Sequence, residues 1–444
     1  MARQRYPWNG KVDVDVELKG DPAKTYLVEL TAKDLDGGTN LPEKTVFCAG
    51  ASTTCCVPPG RHRFTWDADA DIQTDGEFPR VAVSVSATGS ALVGYARQMA
   101  LTVDGYTGAE TLTNVPVLVR LSTAIRGFDY NDFASPSNGA DLAFFDANER
   151  RLAYEIDEWH TNGTSLVWVK LPELKRGMRF TAAWGCVPMD GHASDRSAPD
   201  GHEVWYGYAG VWHMNEDSGT AYDATANGLD ALPNCGVNGD LSQMVAYENG
   251  ACGRARVNSL ASQQSDGTYL TVPSYDALAL EGRFTISGWF RADEIAGYPR
   301  LISRKTHFDD ENGFEIYCLP KNSATSLAVR GATNIESQLL VPVPDLREGW
   351  RALCFVFDGA TFSCYTNGAL SVSGENVAVT DNGNVLVFGC NPNGSDYAWR
   401  GWYDEIRLRG GTLSADRIKA DYDMVTNRDF LGYGAVVKET GAAE

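Results

Sequence analysis

Short runs with a period of two dominate the pattern of apolar and polar positions along the chain. Valine alternates with acidic residues over 12–18, and the segments 25–34 and 80–87 repeat the alternation between Gly, Pro and Asp turns. Alternation with period two is typical of strands that bury one face, whereas helices bury positions three and four apart. Few stretches longer than about ten residues carry the helical period. The pattern therefore predicts an all-β chain.

The chain divides into three sections whose strands differ in length and in apolar and aromatic content. Residues 1–92 carry short alternating strands between tight turns, which is typical of an immunoglobulin-like β-sandwich. Residues 93–203 contain longer and more apolar strands, residues 204–432 are rich in aromatic strands, and 433–444 form a tail. An apolar fraction of 43% can fill several cores. We therefore expect three tandem β-sandwich domains.

Four motifs in the third section carry a family resemblance. They are an aromatic strand with an acidic-Ser-Gly turn at 204–231, a strand at 283–294, a hairpin at 349–370, and a strand leading into a short helix at 397–422. In this order they resemble the laminin-G-like, or concanavalin A-like jelly-roll, family. The resemblance implies a jelly-roll sandwich whose usual role is binding.

The second section is similar to a bacterial domain of unknown function that commonly precedes laminin-G-like domains. The similar segments are the strand at 114–122, the turn at 140–147, and the strands at 152–159 and 164–174. This resemblance implies a large secreted or surface protein of a bacterium. It implies no chemistry for the section.

Strand faces in the third section can be predicted from the alternation. Over 284–290 the even-numbered positions should enter the core, and the odd-numbered ones, including Trp289, should meet a second layer. A hairpin centred on Gly359 would place Cys354 opposite Cys364, and Tyr365 on the other face. Of the ten cysteines these two form the most readable disulfide pair, with buried free thiols as the alternative.

Charge and hydropathy exclude some partners. A formal charge of −20 repels phosphate backbones, so we expect no nucleic-acid partner. The chain has no 18-residue apolar run and its first ten residues lack an apolar signal core, which predicts no membrane span. We expect an extracellular or cell-surface location, with an export signal that lies outside this chain.

The spacing of carboxylates along the chain can be compared with the spacing that glycoside hydrolases need for catalysis. Concanavalin-like glycoside hydrolases place paired acids on one strand, and here Glu155 and Asp157 share a face while Trp159 occupies the next position. Asp404 and Glu405 are adjacent and should point to opposite faces. No nucleophile elbow or metalloprotease motif occurs in the sequence. We therefore expect no enzyme activity, with a glycoside hydrolase as the less favoured alternative.

A calcium ion is implied by the laminin-G-like resemblance. The family often holds calcium with an acidic residue after the first strand and with the Asp of the closing Asp-Glu motif. The matching positions are Asp223, Asn227 and Asp404, with Glu216 or Asp230 as additional ligands. Calcium takes six to eight oxygen ligands, which such a set can supply with carbonyls and water. The alternative is that Asp223 caps a turn and Asp404 accepts hydrogen bonds from loop amides.

A glycan site is the second ligand prediction. Sugar recognition needs exposed aromatic rings with hydrogen-bonding side chains nearby. Tyr298, Tyr397 and Trp399 are the candidate rings, with Arg304 or Arg330 as polar partners. Core packing is the alternative for each of these aromatic residues.

These observations together predict a non-catalytic extracellular binding or adhesion protein. Its partner would be a glycan or another surface ligand, held by the third section. The alternative is a structural stalk or fibre subunit that self-associates, with strand 12–18 completing the sheet of a neighbour.

Overall fold

A computed structural model describes most of the chain. The exceptions are residues 6–8, 22–23, 44, 49–56, 73–77, 94, 186–200, 238, 260–266, 274–281, 306, 308–309, 311, 332–337, 376–378, 380–382, 393–396 and 439–444. Cys55 and Cys56 therefore lie outside the described residues. Among the described helices, none is long and apolar enough to cross a membrane.

The first section forms two antiparallel sheets of four and three strands. Its elements are β1 Ala2–Gln4, β2 Lys11–Leu18, β3 Thr25–Asp34, β4 Asn40–Leu41, β5 Val46–Cys48, β6 Gly60–Asp67, α1 Ala68–Asp71 and β7 Val81–Ser90. The sheet orders are β1-β2-β6-β5 and β4-β3-β7. Val14, Val28 and Phe64 bury their side chains between them. The immunoglobulin-like assignment itself stays a prediction.

Strand addition through residues 12–18 would have only part of one edge of β2 available. β2 pairs with β1 along one edge and with β6 along the other. On the side of β1 only residues 12–14 pair with a strand, so the edge of β2 at residues 16–18 has no strand partner among the described residues, and strand addition there stays a prediction.

The second section is built on two further sheets. Its elements are β8 Arg97–Val103, β9 Leu112–Leu121, a 3₁₀ turn Tyr130–Asp132, β10 Ala143–Phe145, β11 Arg151–Leu152, β12 Tyr154–Glu158, β13 Ser165–Leu174 and β14 Arg179–Trp184. One sheet has the order β12-β13-β9, and the other contains β11-β10-β14-β8. The long β9–β13 pair keeps one register from Leu112–Leu174 to Leu121–Ser165.

The third section forms a sandwich of an eight-stranded and a seven-stranded sheet. Its elements up to residue 303 are α2 Gly201–Val204, β15 Tyr208–Trp212, β16 Leu232–Cys235, a 3₁₀ turn Leu241–Gln243, β17 Ala246–Tyr247, β18 Ala255–Ser259, β19 Thr268–Val272, β20 Phe284–Glu294 and β21 Arg300–Ser303. The others are β22 Glu315–Cys318, β23 Ser326–Arg330, β24 Gln338–Pro342, β25 Arg351–Phe357, β26 Thr361–Thr366, β27 Ala369–Glu375, β28 Leu386–Phe388, β29 Arg400–Gly410, α3 Ala415–Thr426, β30 Leu431–Tyr433 and β31 Val437–Lys438.

Strand β20 confirms the predicted alternation. Phe284, Ile286 and Phe290 enter the core between the two sheets of the sandwich. Trp289 points the other way and packs with residues of the second section. One face of the eight-stranded sheet therefore closes the jelly-roll core, and the other supports a second layer.

That second layer joins the second and third sections in one hydrophobic core. Trp168 of β13 packs in the same cluster as Trp205, Trp289 and Met424 of α3. Arg120 of β9 donates to the carbonyls of Met424 and Val425, each at 2.8 Å. The two sections therefore stabilise each other through buried apolar area and through the capped end of α3.

The end of the chain returns to the second section. Leu431 pairs with Val103 and Val437 pairs with Gln98, so β30 and β31 extend the sheet at β8. Part of the segment predicted as a tail is therefore a strand in the structure. The predicted domain boundaries stay a prediction. The sequence assigns residues 431–438 to the third section and the tail, whereas their strands pair with the sheet of the second section.

The predicted pairing of Cys354 with Cys364 is wrong. In the β25–β26 hairpin Cys354 lies opposite Tyr365, and Cys364 lies opposite Phe355. Cys364 consequently faces the jelly-roll core, whereas Cys354 packs on the outer face beside Ile418 of α3. A shift of one residue in register moves each side chain to the other face. Cys354 and Cys364 are both free thiols.

Candidate functional site

A β-bulge in β29 places two acidic residues on the same side of the sheet. Ser287 pairs with Arg407 and Trp289 pairs with Asp404, so three steps of β29 span two steps of β20. Glu405 takes the left-handed backbone conformation with φ of +50°, which is costly for a residue with a side chain. Such an extra residue re-aims the side chains around it.

The prediction that Asp404 and Glu405 point to opposite faces is therefore wrong. Tyr403 and Ile406 on either side of them enter the jelly-roll core. Asp404 instead accepts a hydrogen bond from the Cys252 backbone N–H, and Glu405 contacts His213. Both carboxylates are almost completely buried where the third section meets the second.

His213 lies at the centre of this junction. Its Nδ1 lies 2.7 Å from Glu405 Oε1, and its Nε2 lies 3.3 Å from Glu155 Oε2. Asp157 Oδ2 lies 3.9 Å from Nδ1. Glu155 and Asp157 thus share a face of β12, as predicted, and that face meets the residue that follows β15. We call the group the junction cluster; its members are Glu155, Asp157, His213, Cys252, Asp404, Glu405 and Arg407.

Indole groups and Arg407 hold the carboxylates in place. Trp205 Nε1 donates to Glu155, and Trp168 Nε1 donates to Asp157 at 3.3 Å. Arg407 Nη2 donates to Glu405 at 2.6 Å. The Arg407 guanidinium stacks on both indole rings, at 4.3 Å from the Trp168 centroid and 4.8 Å from that of Trp205. Stacking and charge-assisted hydrogen bonds together immobilise this cation.

Burial and neighbouring charges shift the pKa values of the cluster. Burial opposes a charge on His213, but Glu405, Asp157 and Glu155 outweigh it and hold the His213 pKa well above its usual range. Burial raises the pKa of Asp157 to about 7, and the neighbouring carboxylates add to the effect. Burial and Glu405 also hold the pKa of Asp404 well above its usual range. His213, Asp157 and Asp404 therefore hold protons to a higher pH than exposed groups of the same types, whereas His213 and Arg407 keep the pKa of Glu405 below its usual range.

The buried end of the cluster contains a thiol. Oxygens of Asp157 and Glu405 and the sulfur of Cys252 all lie within 4.8 Å of one another, the only such group of His, Cys, Asp or Glu among the described residues. Cys252 is 4% exposed. Sequence reasoning missed His213, Cys252 and Arg407, because six scattered histidines and unpaired cysteines show no ligand spacing.

An open cleft of about 430 Å³ lies over the other end of the cluster. Its walls come from β12, from α2 and from the segment after β15, and include Glu155, Asp157, His202, His213, Asn215, Glu216 and Tyr222. Tyr222 is 63% exposed, whereas the Asp157 side chain is 2% exposed. The cleft therefore combines an acidic floor with an exposed aromatic ring.

Most of the residues predicted to bind calcium are already engaged in hydrogen bonds or ion pairs, and the calcium site stays a prediction. Asp223 Oδ1 accepts the amides of Val211 and Thr225, and Oδ2 accepts the Thr225 hydroxyl and the Leu229 amide. Asn227 uses its amide group on two backbone carbonyls. These contacts shape the loop, so calcium would have to displace four donors from Asp223.

The other predicted calcium ligands are also engaged elsewhere. Asp404 Oδ2 accepts the Cys252 amide at 2.7 Å. Glu216 pairs with Arg256 at 2.9 Å, and Asp230 accepts the Asp223 amide. The arrangement corresponds to the alternative interpretation, in which Asp223 caps a turn and Asp404 binds loop amides.

The three predicted glycan aromatics separate in the structure. Tyr298 and Tyr397 form an edge-to-face pair with centroids 6.1 Å apart, and Arg300 stacks on Tyr397 at 4.4 Å. Trp399 is 0% exposed and packs in the jelly-roll core, so its prediction as a ligand platform is wrong. Among the predicted polar partners, Arg304 donates to the Asn384 carbonyl and Arg330 pairs with Glu315.

Comparison with known proteins identifies the class of the third section. Residues 264–419 match the family described as the concanavalin A-like lectin/glucanases superfamily. The chain is thus mostly β, and its C-terminal part is a concanavalin A-like jelly roll. The match does not include the first two sections. No curated protein sequence matches the chain.

Two solved structures illustrate the likeness. Domain 4 of AbnA, an extracellular GH43 arabinanase from Geobacillus stearothermophilus in complex with arabinotriose, is 19% identical and aligns with a TM-score of 0.36. The alignment covers 48% of this chain and 97% of that domain. The botulinum neurotoxin serotype G binding domain is 14% identical, with a TM-score of 0.36, and covers 50% of this chain and 51% of its own. Neither likeness says anything about a ligand of this chain.

Proposed function

We propose that this chain is a non-catalytic, exported binding protein that holds a neutral glycan in the cleft over the junction cluster. The cleft of about 430 Å³ between the second and third sections carries the proposal. Its size is in the range of small-ligand sites, which are commonly found where two units meet. Neither section forms it alone, because Glu155 belongs to the second section and Tyr222 to the third.

The chemistry of the cleft suits sugar hydroxyl groups. The Oε1 atom of Glu155 and the side-chain carbonyl oxygen of Asn215 can accept hydrogen bonds from sugar hydroxyls. The ring of Tyr222, which is 63% exposed, can stack on the apolar face of a pyranose or furanose. An acidic floor would repel an anionic sugar, so we expect a neutral glycan.

Catalysis is disfavoured by the way the carboxylates are held. A raised pKa such as that of Asp157 suits a general acid. However, its Oδ1 accepts from Asn215 at 2.5 Å, and its side chain is 2% exposed. Glu155 is bound by the Trp205 indole and by His213. Neither acid is free to protonate a glycosidic oxygen, which a hydrolase requires.

A glycan array probed with the full chain tests the proposal. Replacement of the stacking ring by Tyr222→Ala should weaken binding of any neutral glycan hit about five- to thirtyfold, as expected for loss of about 1–2 kcal/mol of aromatic contact. Tyr206→Ala is the matched control, because Tyr206 is 77% exposed and does not line the cleft.

Two outcomes would contradict the proposal. If Tyr298→Ala abolishes binding and Tyr222→Ala does not, the ligand binds at the Tyr298–Tyr397 pair instead of the cleft. If no glycan binds and native electrophoresis shows a ladder of oligomers, the structural stalk or fibre role is favoured.

A further inference from the structure

Strand β7 forms one edge of the three-stranded sheet in the first section. It pairs with β3 along its whole length, from Val81 to Ser90, and the register has no shift. The sheet order β4-β3-β7 leaves the other edge of β7 without a strand partner among the described residues. Every second residue of β7 therefore directs its backbone N–H and C=O away from the sheet.

Edges of this length are normally protected, and β7 lacks the usual protection. Native proteins shorten an edge strand, cover it, or place charge, proline or a bulge on it. β7 has the sequence VAVSVSATGS, which contains no charged residue and no proline. Elsewhere in the described sheets the edge strands β1, β4, β5, β11, β16 and β17 have two to four residues, and β12 carries three carboxylates. The free edge of β7 is thus a surface on which another strand can add.

The valines of β7 remain partly uncovered. Val81, Val83 and Val85 lie on the same side of the strand, since alternate residues share a face. Val83 packs against the core of the first section, but Val81 is 38% exposed and Val85 is 37% exposed. A strand added at this edge would bring its own side chains against these valines and would extend the core.

A second copy of β7 is complementary to this edge. In an antiparallel pair centred on Val85, this residue faces its counterpart in the second copy. On the same side, Val83 then faces Ala87 of the second copy. Both copies direct their valines to one side, and the two three-stranded sheets join as one sheet of six strands. A register displaced by one residue would instead put the valines of one copy on the serine side of the other.

Charge also favours this occupant. Each chain has a formal charge of −20, so two copies can approach only where they bring few like charges together. A pair of β7 strands contains no charge. Arg80, which pairs with Asp36 at the surface, would come opposite Ser90 of the second copy. The next residue, Ala91, donates its amide to Glu149, so each end of the pair brings a guanidinium towards a carboxylate.

We propose that two copies of this chain pair edge to edge through β7, in antiparallel register about a twofold axis at Val85. A contact that uses the same surface on both copies closes on itself, so it forms a dimer and not a filament. The contact is distinct from strand addition at β2. It is also independent of the glycan proposal, because the described residues that line the cleft all belong to the second and third sections.

Sedimentation equilibrium of the full chain from about 1 to 100 µM tests the contact. We expect a reversible shift in mass from one chain to two. Val85→Lys should raise the dissociation constant at least about tenfold, because it places two ammonium groups opposite each other. Val437→Lys is the matched control. It makes the same change at a valine of β31 that is 62% exposed, and it should leave the dimer intact.

Amide hydrogen exchange of the unmodified chain keeps the test decisive if Val85→Lys does not fold. The β7 amides that do not bond to β3 should exchange at least about tenfold more slowly in the dimer than in the diluted monomer. A chain that stays monomeric throughout would overturn the proposal, and so would a ladder of larger oligomers. A dimer that Val85→Lys does not weaken, or in which the free-edge amides of β7 stay unprotected, would assign the contact to another surface and also overturn it.

Discussion

At the scale of single residues, the junction depends on a central buried histidine and on one strained backbone position. His213 lies between Glu405 and Glu155 and faces Asp157. Glu405 reaches it only because the chain adopts φ of +50° at that residue. Strain of this kind persists where the surrounding contacts outweigh it, and here the ion pairs with His213 and Arg407 supply those contacts.

Removal of the imidazole should be costly. His213→Ala leaves buried carboxylates without their central cation, and breaking a buried ion pair costs about 3–5 kcal/mol. Urea unfolding followed by tryptophan fluorescence measures the change, because Trp168 and Trp205 adjoin the site. His62→Ala in the first section is the control. A loss below about 1 kcal/mol would mean that the pair is solvated like a surface ion pair.

At the scale of elements, the register of the β25–β26 hairpin determines which face of the sheet each of Cys354 and Cys364 occupies. The closing pair of the hairpin is Phe357 with Phe362, so its loop is longer by one residue than the symmetric turn about Gly359 predicts. Loop length and turn type fix the register of a hairpin. The sequence contains both phenylalanines, but their spacing alone does not show that they pair with each other across the loop.

We therefore expect no disulfide between Cys354 and Cys364 in the folded protein. The two side chains lie on opposite faces of the sheet, and a disulfide needs Cβ atoms about 3.5–4.5 Å apart on converging vectors. Peptide mapping after unfolding and alkylation without reductant should recover both cysteines as alkylated thiols. A cross-linked peptide containing both of them would show a different register.

At the scale of the whole molecule, the second and third sections pack together as one unit. They share a hydrophobic core, and Asp416 of α3 accepts the amides of Ala109 and Glu110 at 2.7 and 2.9 Å. The chain then returns to β8 through β30 and β31. The cleft and the junction cluster both lie where the two sections meet, so the geometry of each depends on correct docking of the two sections.

Truncation tests the role of the returning strands. A chain that ends at residue 429 loses β30, β31 and the buried side chains of Phe430 and Leu431. We expect a loss of about 2–5 kcal/mol from the removed apolar contacts, together with faster amide exchange along β8. A chain that ends at Lys438 retains both strands and is the control. Equal exchange in the two truncated chains would contradict a stabilising role.

Local pattern predicted part of this molecule well. The alternation of Phe284, Ile286 and Phe290 against Trp289 was sufficient to identify a core face and a face for a second layer. Glu155 and Asp157 both reach His213, as their spacing of two residues predicts, although β12 has a register shift between Ile156 and Glu158. The predictions of ligand residues were less successful. Trp399, for example, is a core residue. Its local sequence could not show this, because the same pattern occurs around buried and exposed aromatic residues.

The sequence by itself determined the all-β class, the order of the jelly-roll motifs and the faces of regular strands, because these depend on contacts repeated every two residues. The tertiary structure alone decided that Asp404 and Glu405 face the same way, that His213 and Cys252 meet them, and that the last strands pair with β8. Bulges, strand registers and the docking of sections depend on residues that are distant in the sequence. The alternation of apolar and polar residues within one strand therefore cannot predict them.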